Sequence, residues 1–335
     1  MNKLVRKYWK CETDIQYGGM YMAGNRWAAN TILLSVAMVW GLTFVIIQDA
    51  IVTLPPFAFN GLRFGLAALI LWVYLYFNAS KPLQLKKLAG QLKYGLILGI
   101  LLFAGYALQT YGLLYTTSGK SGFITGLSVA LVPFLSFFIL GQKAKLQSHF
   151  GTVLAVAGLY IMAFSDLSSI NLGDVLTFIC AICFGLQLVY TAKYTSKADT
   201  ANLVLIQCLT VGILSGFSSI LFEPPIAASM FGSPLVIIAL LITSLFATVF
   251  AFIAQTHYIK YTTPAHVALI FATEPVFAVI GDFAWNGALL GPAAITGSIL
   301  ILAGMVLAEV PLPRFTRNKT AEIAEAPLEK PPIQK

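Results

Sequence analysis

Charge is what this chain most lacks. Asp, Glu, Lys and Arg make up 10% of its 335 residues, against 58% hydrophobic ones, whereas about a quarter of a soluble domain is charged. A water-soluble fold could not hide that much apolar surface. Cysteine is scarce too. Of the four present, Cys11 and Cys208 have no evident partner, and Cys180 and Cys183 sit within an apolar run without further ligands. A secreted disulfide framework and a CxxC metal or redox site are both set aside, and no cofactor or metal is expected. Nucleotide-binding signatures are also missing. Gly119-Lys120-Ser121 ends like a phosphate-binding loop, but Leu114 stands where its first glycine belongs and no strand precedes it.

What the chain does have is long apolar runs. Ten intervals stand out, with approximate cores 27–49, 54–77, 93–114, 119–140, 147–165, 172–192, 200–221, 234–258, 264–284 and 288–310. About 20 apolar residues cross a bilayer core of about 30 Å, and backbone groups inside lipid must be satisfied within the segment, so these runs read as helices. Intervals 172–192 and 200–221 are interrupted by Gln187, Gln207, Gly212 and Gly216, which is tolerated where a helix faces protein or a water-filled cavity.

Of the 21 Lys and Arg residues, all but Arg63 and Lys120 fall in alternate gaps between runs or in the termini. The intervening gaps hold Asp49, Asp166, Glu223 and Asp282. By the positive-inside rule both termini are cytoplasmic. The net charge of +8 is that bias, and the partner it implies is the lipid bilayer, not nucleic acid. Segment 1–26 is basic and tyrosine-rich without an apolar core, unlike a cleavable signal peptide. The tail 311–335, rich in Pro, Lys and Glu, reads as disordered.

The chain also repeats itself. Gln109-Thr110 recurs 146 positions later as Gln255-Thr256, and Tyr115-Thr116-Thr117 as Tyr261-Thr262-Thr263. The same offset carries Gly141 onto Gly287, Gly151 onto Gly297, Leu154 onto Leu300 and Ala157-Gly158 onto Ala303-Gly304. Earlier in each copy the offset is near 144, so that Trp40-Gly41 falls on Phe184-Gly185 and Arg63 on Gln207. The predicted architecture is an all-α polytopic membrane protein with two five-helix repeats, 27–165 and 171–310. Five is odd, so the second copy enters from the opposite side and the repeats are inverted. In such folds the substrate site lies near mid-membrane between the copies.

Several stretches carry a further resemblance. Trp40-Gly41-Leu42-Thr43-Phe44, Leu54-Pro55-Pro56 and Leu62-Arg63-Phe64 are similar to segments of the EamA-type drug/metabolite transporters. So are Tyr115 through Gly126, leading to Val132-Pro133, and Glu274-Pro275-Val276-Phe277-Ala278. The resemblance spans about 27–310. It implies ten helices around a cavity lined by helices 1, 3, 4, 6, 8 and 9. It also implies movement of small metabolites, amino acids or drugs, usually outward across a bacterial inner membrane. A Gly-Glu pair common in that family is replaced here by Gly141-Gln142 and Asn286-Gly287, so a gating role for that glutamate does not carry over.

Glu274 falls in mid-helix, where a charged carboxylate costs about 2.5–3.5 kcal/mol on insertion scales and needs a partner, water or a proton. It is the proton-coupling or substrate-amine candidate, or else a structural Glu-Pro. Lys120 and its repeat mate His266 open helices 4 and 9, where a basic group would suit an anion or anchor the interface. Gln109, Gln255 and Gln187, with Trp40, Tyr106, Tyr111 and Tyr190, are the remaining substrate-pathway candidates, since aromatic walls with few polar groups suit small-molecule pockets. Arg63, between Gly61 and Gly65, is predicted to tie helices together or to snorkel to the outer interface. The small-residue spacings Gly95/Gly99, Gly122/Gly126 and Gly212/Gly216 predict close helix contacts.

The leading function is a secondary transporter, a monomer or homodimer, and not an enzyme. Two alternatives compete. The Gly119-Lys120-Ser121-Gly122 stretch has the form seen in rhomboid-like serine proteases, with His257 or His266 as base. A channel or lipid scramblase would need rings of like charge or oligomeric pores, and neither is visible in the sequence.

Overall fold

A computed structural model describes residues 19–78, 85–143, 146–164, 171–287 and 291–309. The N-terminal stretch before Gly19 and the tail beyond 309 lie outside the described residues. The helices are α1 Gly19–Thr53, α2 Pro56–Asn78, α3 Leu85–Gly112, α4 Ser118–Leu140, α5 Leu146–Phe164, α6 Leu172–Tyr194, α7 Thr200–Phe222, α8 Pro234–Tyr261, α9 Pro264–Asn286 and α10 Pro292–Glu309. Among the described residues, eight helices are long and apolar enough to cross a bilayer. The intervals 147–165 and 288–310 hold shorter apolar helices, Leu146–Met162 and Pro292–Ala308. Intervals 172–192 and 200–221 are continuous helix despite their polar breaks. Helix α1 begins eight residues before the predicted run, because nothing in 19–26 stops a helix once it leaves the apolar layer.

Local chemistry sets the ends. Thr117 and Thr263, repeat mates, each cap a helix by accepting from the backbone N–H of Lys120 and His266 respectively. Gly141 and Gly287 end α4 and α9 in the left-handed region, at φ 68° and 67°, which glycine adopts without steric cost. Three spans are irregular. α4 is interrupted at Leu127, between segments ending at Gly126 and starting at Ser128. α9 is interrupted at Ala272-Thr273, ahead of Glu274-Pro275; with Thr273 falling 146 positions after Leu127, the two breaks are equivalent. α8 carries a π-helical turn, Leu245–Phe250, whose counterpart in α3, residues 99–104, is regular helix.

Packing brings α5 against α10, α2 against α7, α3 against α6 and α7, and α1 against α9. Glycines permit the closest of these approaches. A Cβ on Gly151 would lie 2.6 Å from the Gly304 carbonyl oxygen, and one on Gly158 would lie 2.5 Å from that of Gly297. Ascending one helix thus descends the other, so α5 and α10 pack antiparallel, and the pairing joins each glycine to the repeat mate of the other. Gly61 meets Gly216 and Gly65 meets Gly212 in the same antiparallel sense across α2 and α7. The predicted close contacts at Gly95, Gly99 and Gly126 are also made, against Ile206, Thr210 and Leu159 with Pro275. The outer surface is apolar, with Ile220, Phe138 and Phe77 among many exposed large side chains, the pattern of a lipid-facing belt.

Candidate functional site

Between the two halves lies a cavity of about 70 Å³ lined by α1, α2, α3, α4, α6, α8 and α9. On this measure a single water needs about 10–15 Å³, so the space is polar and roomy enough for a few waters but contracted for a metabolite. Its walls contain repeat mates facing each other. Trp40 pairs with Phe184, Thr43 with Gln187, and Gln109 with Gln255. Aromatic rings pack edge-on around it, Trp40 against Phe271 at 4.9 Å and Tyr106 against Phe184 at 5.1 Å between centroids.

The polar groups form short chains. The Gln255 amide donates to Gln187 Oε1 at 3.1 Å, and the Gln187 amide donates to Gln207 Oε1 at 3.2 Å. Gln109 donates to Thr125 Oγ1 at 3.1 Å. Gln255 Oε1 and Gln207 Nε2 remain buried without a partner among the described residues, an arrangement whose unmet capacity favours a bound polar group.

Two charges line this space. Arg63 is 1% exposed, which excludes the predicted snorkelling. The physical reason lies in α8: Arg63 Nε donates to Thr248 Oγ1 at 2.8 Å and Nη2 to the Ala247 carbonyl at 3.2 Å, both within the π-helical turn. Its guanidinium stands 4.9 Å from the Tyr106 ring centroid and 5.2 Å from that of Phe64, within cation–π range. The helix-tying half of that expectation does match what Arg63 does. Glu274 is 9% exposed and opens the second segment of α9, where Pro275 has no N–H and Val276 and Phe277 donate to the Thr273 carbonyl. Its carboxylate makes no hydrogen bond or ion pair with any described residue, and it does not pair with Arg63. α1 reaches this segment closely because Gly41 lets its backbone approach the Glu274 carbonyl.

Of the sequence-predicted pathway residues, Trp40, Tyr106, Gln109, Gln187, Gln255 and Glu274 line the cavity. Tyr111 instead packs on Phe57, and Tyr190 packs on Tyr194 and Lys193. Lys120 and His266 lie away from the cavity, at opposite ends of α1. Lys120 Nζ is 2.7 Å from Asp174 Oδ2, both side chains over 90% buried, and Thr116 donates to the other Asp174 oxygen at 2.9 Å. Gln48, near the end of α1, bonds the Thr116 carbonyl and the Ser118 N–H beside them. His266 Nε2 lies 3.1 Å from Asn30 Oδ1, near the start of α1. Asn30 and Gln48 are 18 residues apart, or about 27 Å along a helix.

These two contacts are the same contact in the two copies. Lys120 precedes His266 by 146 positions, and Asn30 precedes Asp174 by 144, the offsets of the respective parts of the repeat. Sequence reasoning paired Lys120 with His266 but missed their partners, although the 144 offset already set Asn30 on Asp174. The protease-like constellation is not assembled. Ser121 Oγ is buried with no hydrogen-bond partner among the described residues, and His257 packs on Tyr258 and Tyr261. Among the described residues no group of three His, Cys, Asp or Glu is placed to hold a metal ion.

Helices of spanning length, an apolar outer belt and an interior polar cavity define a multi-pass membrane protein. Residues 27–164 and 171–309 each match the EamA-like transporter family, and the chain belongs to that family. It is similar to an uncharacterized transporter of Archaeoglobus fulgidus, 32% identical over 287 residues that cover 84% of this chain and 86% of the relative. The uncharacterized transporter YoaV of Bacillus subtilis is 23% identical, with 82% of this chain and 94% of YoaV covered. Protein PagO of Salmonella typhimurium is 24% identical, with 82% and 90% covered. A solved crystal structure shares the fold at a TM-score of 0.70 and 17% identity, covering 84% of this chain and 97% of that one.

Proposed function

We propose that the protein is a secondary transporter that carries small metabolites, amino acids or related compounds, out of the cell by alternating access between two inverted five-helix repeats. In this reading ten helices cross the inner membrane, both termini are cytoplasmic, and the end bearing Asp49, Asp174, Glu223 and Asp282 faces outward. One observation carries it: a polar cavity lined by repeat mates, with one equivalent contact at each end, Lys120–Asp174 and His266–Asn30. The antiparallel cross-pairing of glycines in α5 and α10 supports inversion, because two copies related by an axis in the membrane plane run those helices in opposite directions.

The chemistry follows from the charges. When one end contact parts, water and solute reach the cavity; when it re-forms and the other parts, the solute leaves on the far side. Among the described residues no cation neutralises Glu274, so the low-dielectric cavity accepts it only with a proton or a cationic solute group. Alternate occupancy by those two couples solute movement one way to proton movement the other.

The test is uptake into proteoliposomes with and without an imposed pH gradient, wild type beside Glu274→Gln. Gradient-stimulated uptake that Glu274→Gln abolishes, with equilibrium exchange preserved, is the expected result. Uptake indifferent to both would make Glu274 structural and leave a facilitator or an exchanger.

A further inference from the structure

The two copies share amides and rings on the cavity wall, Gln109 with Gln255 and Tyr106 with Phe252, and they differ at its charges. The repeat mate of Arg63 is Gln207, which is neutral, and the mate of Glu274 is Ser128, also neutral. Arg63 comes from the first copy and Glu274 from the second, yet both line the same cavity. The π-helical turn that holds Arg63 is the third departure, since the equivalent stretch of α3 is regular helix. Three breaks in the internal symmetry thus converge on one space. Structural upkeep of a two-fold fold does not require them, because the mates fill equivalent positions without charge.

Oppositely charged side chains within one apolar cavity would ordinarily pair, because each is costly alone. Here they do not. Arg63 is anchored to α8 through Nε and Nη2, two of its five N–H donors, and also shares a side-chain hydrogen bond with Tyr106. The planar fork keeps donors in reserve, and its axis is fixed by those bonds. Glu274 is fixed by its place at a helix start and offers two oxygens with no described donor. The same cavity is lined by Tyr106, by the amides of Gln109, Gln187 and Gln255, and by the rings of Trp40, Phe184, Phe252 and Phe271.

We propose that this cavity is a two-ended site for a small zwitterion, whose anionic group binds Arg63 and whose cationic group binds Glu274, the rings accommodating its apolar part. The proposal rests on the transport reading and narrows it: uncharged sugars and nucleosides leave both buried charges uncompensated, simple organic cations leave that of Arg63, and simple carboxylates leave Glu274 to a proton alone. A molecule with both charges compensates both at once and remains neutral overall while crossing.

The experiment uses the full-length protein in proteoliposomes and three matched probe sets: the standard amino acids, their N-acetyl derivatives, which lack the cationic end, and their methyl esters, which lack the anionic end. Uncharged nucleosides and organic cations form a control set. At least one amino acid should be transported, and each single-ended derivative should compete roughly 10- to 100-fold less well, the scale of losing one charge-assisted contact. Arg63→Gln should erase the preference over the methyl ester while keeping the preference over the N-acetyl form. Glu274→Gln should do the reverse. A collapsed fold would erase both preferences together, so the split separates recognition from folding, and wild-type selectivity is a reading that needs no variant. Transport of a nucleoside, sugar or simple cation in preference to every amino acid overturns the zwitterion site and leaves the transporter standing. Single-ended derivatives that compete as well as their parents also overturn it. No movement of any solute in any set refutes the transport reading, and the site falls with it.

Discussion

Replacing Asp174 with Asn should open the acidic end of the protein. In the wild type Lys120 and Asp174 form an ion pair at 2.7 Å with both side chains under 10% exposed. Removing one partner of a buried pair strands the other and costs about 3–5 kcal/mol. The low end applies, because Lys120 lies in the first turn of its helix and its long stem can carry the ammonium outward. That cost burdens only the state in which the acidic end is closed, since opening returns Lys120 to water. About 3 kcal/mol corresponds to a shift of roughly 100-fold in the open-to-closed ratio. The readout is the labelling rate of Ser128→Cys, a cavity residue, in a background lacking the four native cysteines. An impermeant thiol reagent is applied from the outer face of oriented vesicles. Asp174→Asn should raise the rate by about two orders of magnitude. Lys120→Met, which leaves the capping box of Asn171 and Asp174 intact, should raise it as well. The double substitution should fall back toward wild type, because no charge is then stranded. Unchanged labelling in both single variants, or a double variant as fast as their product, would refute the latch.

Two further outcomes follow from the packing. Gly158→Val places a side chain against the Gly297 backbone, where a Cβ alone would sit 2.5 Å from the carbonyl oxygen; backbone cannot yield as a side chain can, so the variant should lose about 1–3 kcal/mol or more, read as a lowered melting temperature in detergent, while Gly65→Ala, with nothing within 4 Å of its new Cβ, should change little. Glu223 accepts from the backbone N–H of Phe57 and Ala58 at 2.7 and 2.8 Å and so joins the end of α7 to the start of α2; Glu223→Ala should cost about 1.5–3 kcal/mol and speed hydrogen exchange at those two amides, and unaltered exchange there would count against the cap.

Much of this was legible in the sequence because lipid imposes a simple rule. Apolar length needed no tertiary information, and one ungapped offset exposed the two copies that each match the family. Rotation of each helix about its axis was not legible. In uniformly apolar segments no amphipathic stripe tells the cavity face from the lipid face, so Tyr106 and Tyr111, five apart on α3, looked equivalent, yet only Tyr106 reaches the cavity. The π-helical turn was hidden for the same reason, since Leu245-Phe246-Ala247-Thr248-Val249-Phe250 carries no signature that separates it from regular helix. Arg63 was flagged by its break with the charge pattern, but its fate depended on Thr248 and Ala247, some 185 residues away.

The end contacts also bear on direction. They occupy equivalent positions but differ in strength. The contact at the acidic end is a buried ion pair reinforced by Thr116, whereas the one at the basic end joins an imidazole to an amide. A hydrogen bond between uncharged groups nets about 0.5–1.5 kcal/mol, and one to a charged group about 1.5–3 kcal/mol. On the transport reading, the basic end would then part more readily in the absence of solute. With that end facing the cytoplasm, the resting protein would load from inside and open outward only when solute occupancy offsets the cost of separating Lys120 from Asp174. A zwitterion that satisfies Arg63 and Glu274 together is suited to supply that offset, because it removes two unpaired charges from the cavity in one step. Efflux would then follow from the inequality of two symmetric contacts, with the same fold free to favour uptake in a protein whose ion pair lay at the other end.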